Sequence, residues 1–116
     1  MTLKGKLKRF SSNIIQTKEE CKYFPKKRSE LRRIIDNRVK EDPKCDLNDI
    51  WVGDVVDLTS LFEECPFNGD ISRWDVRNVI DMSYMFFESK FDGDISDWDV
   101  GNVKNMNSMF SRSIFR

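Results

Sequence analysis

Apolar side chains fall into two different rhythms along the chain. Over residues 29–40 they recur at Leu31, Ile34, Ile35 and Val39, the stripe of an amphipathic helix. Arg32, Arg33, Asp36 and Arg38 lie on the opposite face, and Ser29 is placed to cap the N-terminus of a helix running to about Lys40. Beyond residue 43 the rhythm changes. Ile71, Trp74, Val76, Val79, Met82, Met85 and Phe86 are spaced mostly by three, which suits neither the helical period of 3.6 nor the strand period of 2. That spacing predicts a tightly wound chain of short strands and 3₁₀-like corners.

The second rhythm repeats. The run FNGDISRWDV from Phe67 to Val76 returns as FDGDISDWDV from Phe91 to Val100, an offset of 24 residues. The match continues through Asn78/Asn102, Val79/Val103, Met82/Met106, Met85/Met109 and Phe86/Phe110. A weaker copy precedes it, with Asp46, Leu47, Val52, Val55, Leu58, Leu61 and Phe62 at the equivalent positions. Phe115 opens a further copy. The I-x-x-W-x-V opening has the spacing of a leucine-rich-repeat strand, and 24 residues is a usual length for such a repeat.

The expected fold is therefore α+β, a short leucine-rich-repeat-like solenoid of three coils (43–66, 67–90 and 91–114). Each coil would leave an apolar edge that only a neighbouring coil can bury. Residues 1–42 would supply a basic lead-in and a capping helix, and 43–116 the acidic repeats. Residues 10–15 could be a short strand, a short helix or a loose arm. Gly69 and Gly93 are expected to turn the chain through positive φ, with Pro43 and Pro66 at corners.

Composition narrows the function. Of the 116 residues, 20 are Lys or Arg and 20 are Asp or Glu, so the formal charge is zero. The charges are divided: residues 1–40 carry a net +9 and residues 41–116 a net −9. No histidine is present, which removes His-based triads and His metal sites. Cys21, Cys45 and Cys65 lack metal-ligand spacing and are odd in number, so neither a zinc site nor a disulfide framework is expected. No stretch approaches the roughly 18 apolar residues of a membrane span, and residues 1–20 lack a signal-peptide core. The expectation is a chain that stays in the cytoplasm, displayed at the surface only if it is a piece of a longer array. No cofactor and no metal is expected.

The long motif F-N-G-D-I-S-x-W-D-V-x-N-V-x-D-M-S-x-M-F resembles the BspA-like leucine-rich-repeat surface-protein family. The likeness covers about residues 22–114, with Lys22 to Lys26 and the Glu30 run resembling the family's lead-in helix. It implies a solenoid with a binding or surface role, and no catalytic residues. One departure stands out: Trp51 occupies the position of Asp75 and Asp99, while Ile50 takes that of Trp74 and Trp98.

Candidate contacts follow from residues that break the repeat. Tyr84 aligns with Ser60 and Ser108, and Phe87 with Glu63 and Ser111, so both are expected at the surface. Together with Trp51 they are the hot-spot candidates. Asp75, Asp97 and Asp99 would add an acidic face. The aspartate rows Asp46/Asp70/Asp94 and Asp57/Asp81 are expected mainly to accept hydrogen bonds from turn N–H groups. The methionine row Met82/Met106 and Met85/Met109 reads as core. The periodic carboxylates offer no singular acid/base pair, so no enzyme is expected.

The expected function is non-enzymatic protein binding through one face of the solenoid. A second reading is a small phage or mobile-element inhibitor of a host nuclease, anti-CRISPR-like, whose acidic face meets a basic nucleic-acid-binding protein. A third is a fragment of a surface adhesin array. Direct nucleic-acid binding by the basic half (Lys4, Lys6, Lys8, Arg9 and residues 26–38) is disfavoured, because no reader motif accompanies the charge. A monomer, or a weak dimer through the final coil, fits this reading.

Overall fold

The computed structural model describes residues 15–115. The arm at 10–14, the basic residues Lys4, Lys6, Lys8 and Arg9, and Arg116 lie outside them. The regular elements are a single turn of 3₁₀ helix, η1 (Lys18–Glu20), and one α-helix, α1 (Arg28–Glu41). Leu31, Ile35 and Val39 point from α1 into the core, as the helical stripe required. The expected cap is corrected: Lys27 takes the N-cap position with extended backbone, and Ser29 lies inside the helix. Glu30 helps organise this end by accepting a hydrogen bond from the Lys26 N–H at 2.8 Å.

The expected α+β solenoid of leucine-rich-repeat type is not what forms. Among the described residues there is no extended strand and no sheet. Only four isolated parallel bridges occur, at Tyr23 with Ile50, Asp46 with Asp70, Asp57 with Asp81, and Asp81 with Asn105. The I-x-x-W segments where strands were expected close into turns instead, with the Trp74 N–H on the Ile71 carbonyl (3.2 Å) and the Trp98 N–H on Ile95 (3.1 Å). The later part of each repeat is interrupted as well. Ser60, Glu64, Tyr84, Glu88, Ser108 and Arg112 all adopt positive φ, between 51° and 57°. These are two positions of the repeat, each visited three times, and a left-handed residue interrupts any strand. The period-three segments consequently run as linked turns, closed by bonds such as Met85 N–H to the Met82 carbonyl (3.2 Å) and Phe87 N–H to Tyr84 (3.1 Å).

Equivalent residues of successive repeats nonetheless meet. Leu58, Ser60, Phe62 and Glu64 donate backbone N–H bonds of 2.8–3.0 Å to Asp81, Ser83, Met85 and Phe87. Met82, Tyr84, Phe86 and Glu88 do the same to Asn105, Asn107, Met109 and Ser111. Side chains add rungs. Trp74 Nε1 donates to the Leu47 carbonyl at 2.9 Å, and Trp98 Nε1 to Ile71 at 3.0 Å. Asn78 and Asn102 donate their amides to the carbonyls of Gly53 and Arg77 at 2.9 and 2.7 Å.

The core is aromatic. Phe62, Phe86 and Phe110 form one column with centroids 5.5 and 5.3 Å apart. Phe67, Phe91 and Phe115 form another at 5.9 Å per step, and Trp74 stacks near-parallel on Trp98 at 6.3 Å. Offset stacking of this kind adds about 0.5–1.5 kcal/mol per pair beyond the burial itself. Leu31, Ile35 and Val39 of α1 belong to the same cluster.

Two further expectations are corrected. Neither Gly69 nor Gly93 has positive φ; no glycine of the described residues does. Gly69 is needed for close approach instead, because a Cβ there would collide with the Cys45 carbonyl. Met82 is fully buried but Met106 is 44% exposed, so the methionine row is core only in part.

Candidate protein-binding site

The six singled-out side chains do not share one surface. Trp51 is half-buried. Its ring lies flat on Gly53, where an added Cβ would strike the indole carbons. Its indole N–H is buried and lies toward the Asp54 carboxylate, whose charged form it favours. Asp54, three residues on, takes a 2.9 Å bond from Lys26, which holds its carboxyl below the usual carboxylate range. Asp75, expected at the surface, is only 5% exposed. Its carboxylate receives Arg77 Nε and Nη2 at 2.9 and 2.8 Å, and the Arg77 guanidinium lowers its pKa. Asp97 and Asp99 are exposed, and Asp99 accepts the Gly101 N–H at 3.0 Å.

Tyr84 and Phe87 are the two that come together. Their rings meet edge to face, with centroids 5.6 Å apart. The turn between them, closed by Phe87 N–H on the Tyr84 carbonyl, sets this distance. Tyr84 is 42% exposed, and Phe87 is half-buried rather than fully exposed. Tyr84 has φ 57° where the other repeats carry serine at φ 57° and 54°. A left-handed conformation costs a non-glycine residue about 1–2 kcal/mol, and a large ring is an uncommon occupant of it. The Tyr84 ring is only partly covered, with Phe87 against its side.

The aspartate rows act as turn acceptors. Asp70 and Asp94 each accept the N–H and hydroxyl of the serine two residues on, at 2.7–2.9 Å. Asp46 and Asp57 accept the N–H groups of Asn48 and Thr59, at 2.8 and 2.9 Å. In Asp81 and Asp94 the serine hydroxyl holds the carboxyl below its ordinary value. In Asp70 burial acts upward, but the Ser72 hydroxyl and N–H outweigh it.

A polar cleft of about 400 Å³ opens beside η1, lined by Glu20, Arg38, Asp46, Asp49 and Arg73, with Gln16 and Asn48. Arg38 meets Asp49 at 3.1 Å and Arg73 meets Glu20 at 3.3 Å, while Asp46 makes no ion pair among the described residues and Arg73 Nε is buried without a direct hydrogen bond. Arg38 also sits 5.7 Å over the Tyr23 ring.

Gln16 was not legible as a key residue. It is 3% exposed, and its amide nitrogen donates to the Asn48 and Ile50 carbonyls at 2.8 Å each. Its oxygen accepts the N–H groups of Val52 and Asp75 at 3.2 and 3.3 Å. All four hydrogen-bonding positions of the side chain are used. It joins the first two repeats, and no periodicity or motif announces it.

Among the described residues no group of three His, Cys, Asp or Glu is arranged to hold a metal ion, and no helix is long and apolar enough to cross a membrane. A family model described as "Mycoplasma protein of unknown function, DUF285" matches residues 30–115. Comparison with curated proteins and with solved structures gave no match.

Proposed function

Because the chain belongs to this DUF285 family, a BspA-like surface-repeat family, we propose that it is a non-enzymatic protein-binding module built on 24-residue repeats. The observation that carries this reading is the Tyr84–Phe87 pair. Two neighbouring positions that hold small or charged residues in the other repeats here hold aromatic rings in contact, Tyr84 exposed and Phe87 half-buried. Aromatic side chains ringed by polar ones are the common anchors of protein interfaces. Asp97 and Asp99 are exposed and extend the acidic character of the repeats. Asp75 is left out of the contact set, since Arg77 and burial occupy it.

The test is a comparison of immobilised proteins. The wild-type chain and the double variant Tyr84→Ser/Phe87→Ser are exposed to the same extracts, from cells and from their surroundings. Ser60, Ser108 and Ser111 already stand at these two positions, so the variant is expected to fold. The proposal expects a defined set of proteins on the wild type that the variant fails to hold. The same set on both, or none on either, would overturn it.

A further inference from the structure

The surroundings of the aromatic pair restrict what it can receive. Glu63 holds the Phe87 position one repeat earlier, and the Glu64 N–H bonds the Phe87 carbonyl at 2.8 Å. Glu88 follows Phe87 and occupies the same repeat position as Glu64, one layer on. Three glutamates therefore hold positions next to Phe87, along the chain or one layer away. Glu63 is half-buried and Glu64 and Glu88 are exposed. None of the three forms an ion pair within 4 Å with a base among the described residues.

Three cations lie in these layers without pairing with the glutamates; Lys90, two residues after Glu88, is exposed, bonds the Cys65 carbonyl through its backbone N–H at 3.3 Å and makes no ion pair among the described residues. Arg32 on α1 reaches the same layer, but its guanidinium donates to the Leu61 carbonyl at 2.9 Å and pairs with Asp36 at 2.8 Å. Arg112 continues the Glu64/Glu88 position in the last repeat, is exposed, and makes no ion pair. Like-charged carboxylates a layer apart repel, and aromatic faces carry negative potential. Both features disfavour an acidic or phosphate-bearing ligand and favour a cation laid against the rings.

We propose that Tyr84 and Phe87, with Glu63, Glu64 and Glu88, form a receiving point for an arginine or lysine side chain of the partner protein. The proposal rests on the protein-binding reading above and names the chemistry of its anchor. The cation lies across the aromatic pair, and the carboxylates take its N–H groups.

The probe is acetyl-hexaarginine amide, titrated into the full chain at near-physiological salt and followed by amide NMR shifts. The largest shifts are expected at residues 84–88. Tyr84→Ser/Phe87→Ser should weaken the peptide about 5-fold or more, since each exposed cation–π contact is worth a few-fold. Asp97→Asn/Asp99→Asn should weaken it less than about 2-fold. Shifts centred on residues 94–99, equal affinity for the aromatic variant, or no binding would overturn the proposal. Failure here removes the cation from the site. Failure of the extract comparison removes protein binding itself, so the two are distinguishable.

Discussion

At the scale of single residues, one glutamine and one tyrosine carry unusual weight. Gln16 satisfies four backbone groups of two repeats while itself buried. Gln16→Ala leaves those groups without their side-chain partner at the wall of the polar cleft. The expected cost is about 3 kcal/mol, read from denaturant unfolding; a loss under about 1 kcal/mol would mean the backbone finds other partners. Tyr84 is the opposite case. Tyr84→Ser restores the residue of the other repeats at the same positive φ, so stability should change by less than about 0.5 kcal/mol. A large loss would show that the ring is structural. Tyr84 and Phe87 were legible in the sequence because they break a repeat. Gln16 was not, because its partners are main-chain atoms and it lies outside the repeats. The burial of Asp75 was equally hidden, since its repeat partner Asp99 is exposed.

At the scale of elements, the helix was legible and the sheet was an error. A stripe of Leu31, Ile35 and Val39 leaves one solution, and α1 starts two residues before the expected helix and ends one residue after it. Ile35→Ala should cost about 2–5 kcal/mol, as a fully buried side chain of the core does. Ser29→Ala should cost less than about 0.5 kcal/mol, because Lys27 and not Ser29 holds the cap position. A loss of about 1 kcal/mol or more would return Ser29 to the capping role. The strands failed because the I-x-x-W runs close into turns, Trp74 N–H on Ile71 and Trp98 N–H on Ile95, and because the later part of each repeat carries left-handed residues. Left-handed backbone usually announces itself through Gly or Asn, yet here Ser60, Glu64, Tyr84, Glu88, Ser108 and Arg112 adopt it. The Asp-x-Ser spacing did signal turns, and the serine hydroxyls and N–H groups at Asp70 and Asp94 bear that out. The glycines misled in the other direction, being required for closeness and not for φ.

At the scale of the whole molecule, one apolar core joins the lead-in helix to the repeats, and ion pairs bridge the same boundary. Lys18 and Lys26 meet Asp54, Arg38 meets Asp49, and Glu20 meets Arg73, each across the boundary between the lead-in segment and the repeats. These exposed pairs contribute little singly. The carboxylates as a group matter more for acid stability. Asp75 is lowered by the Arg77 guanidinium, and Asp81 and Asp94 by their serine hydroxyls. A folded pKa below the unfolded value of about 3.9 means stability that is complete above that pH. It is lost as pH falls through the folded values. Melting temperature should therefore hold from about pH 7 to 5 and drop below about pH 4. Asp75→Asn should flatten that drop. A melting temperature unchanged down to pH 2 would show that the carboxylates are not coupled to folding.

The central claim is that the molecule binds a protein through the aromatic pair of its middle repeat. The most direct measurement is hydrogen–deuterium exchange of the full chain, alone and saturated with a protein retained from the extracts. The account predicts new protection over residues 84–88 and at Glu63 and Glu64. Protection confined to residues 94–99, or to the basic segment at 18–28, would contradict it.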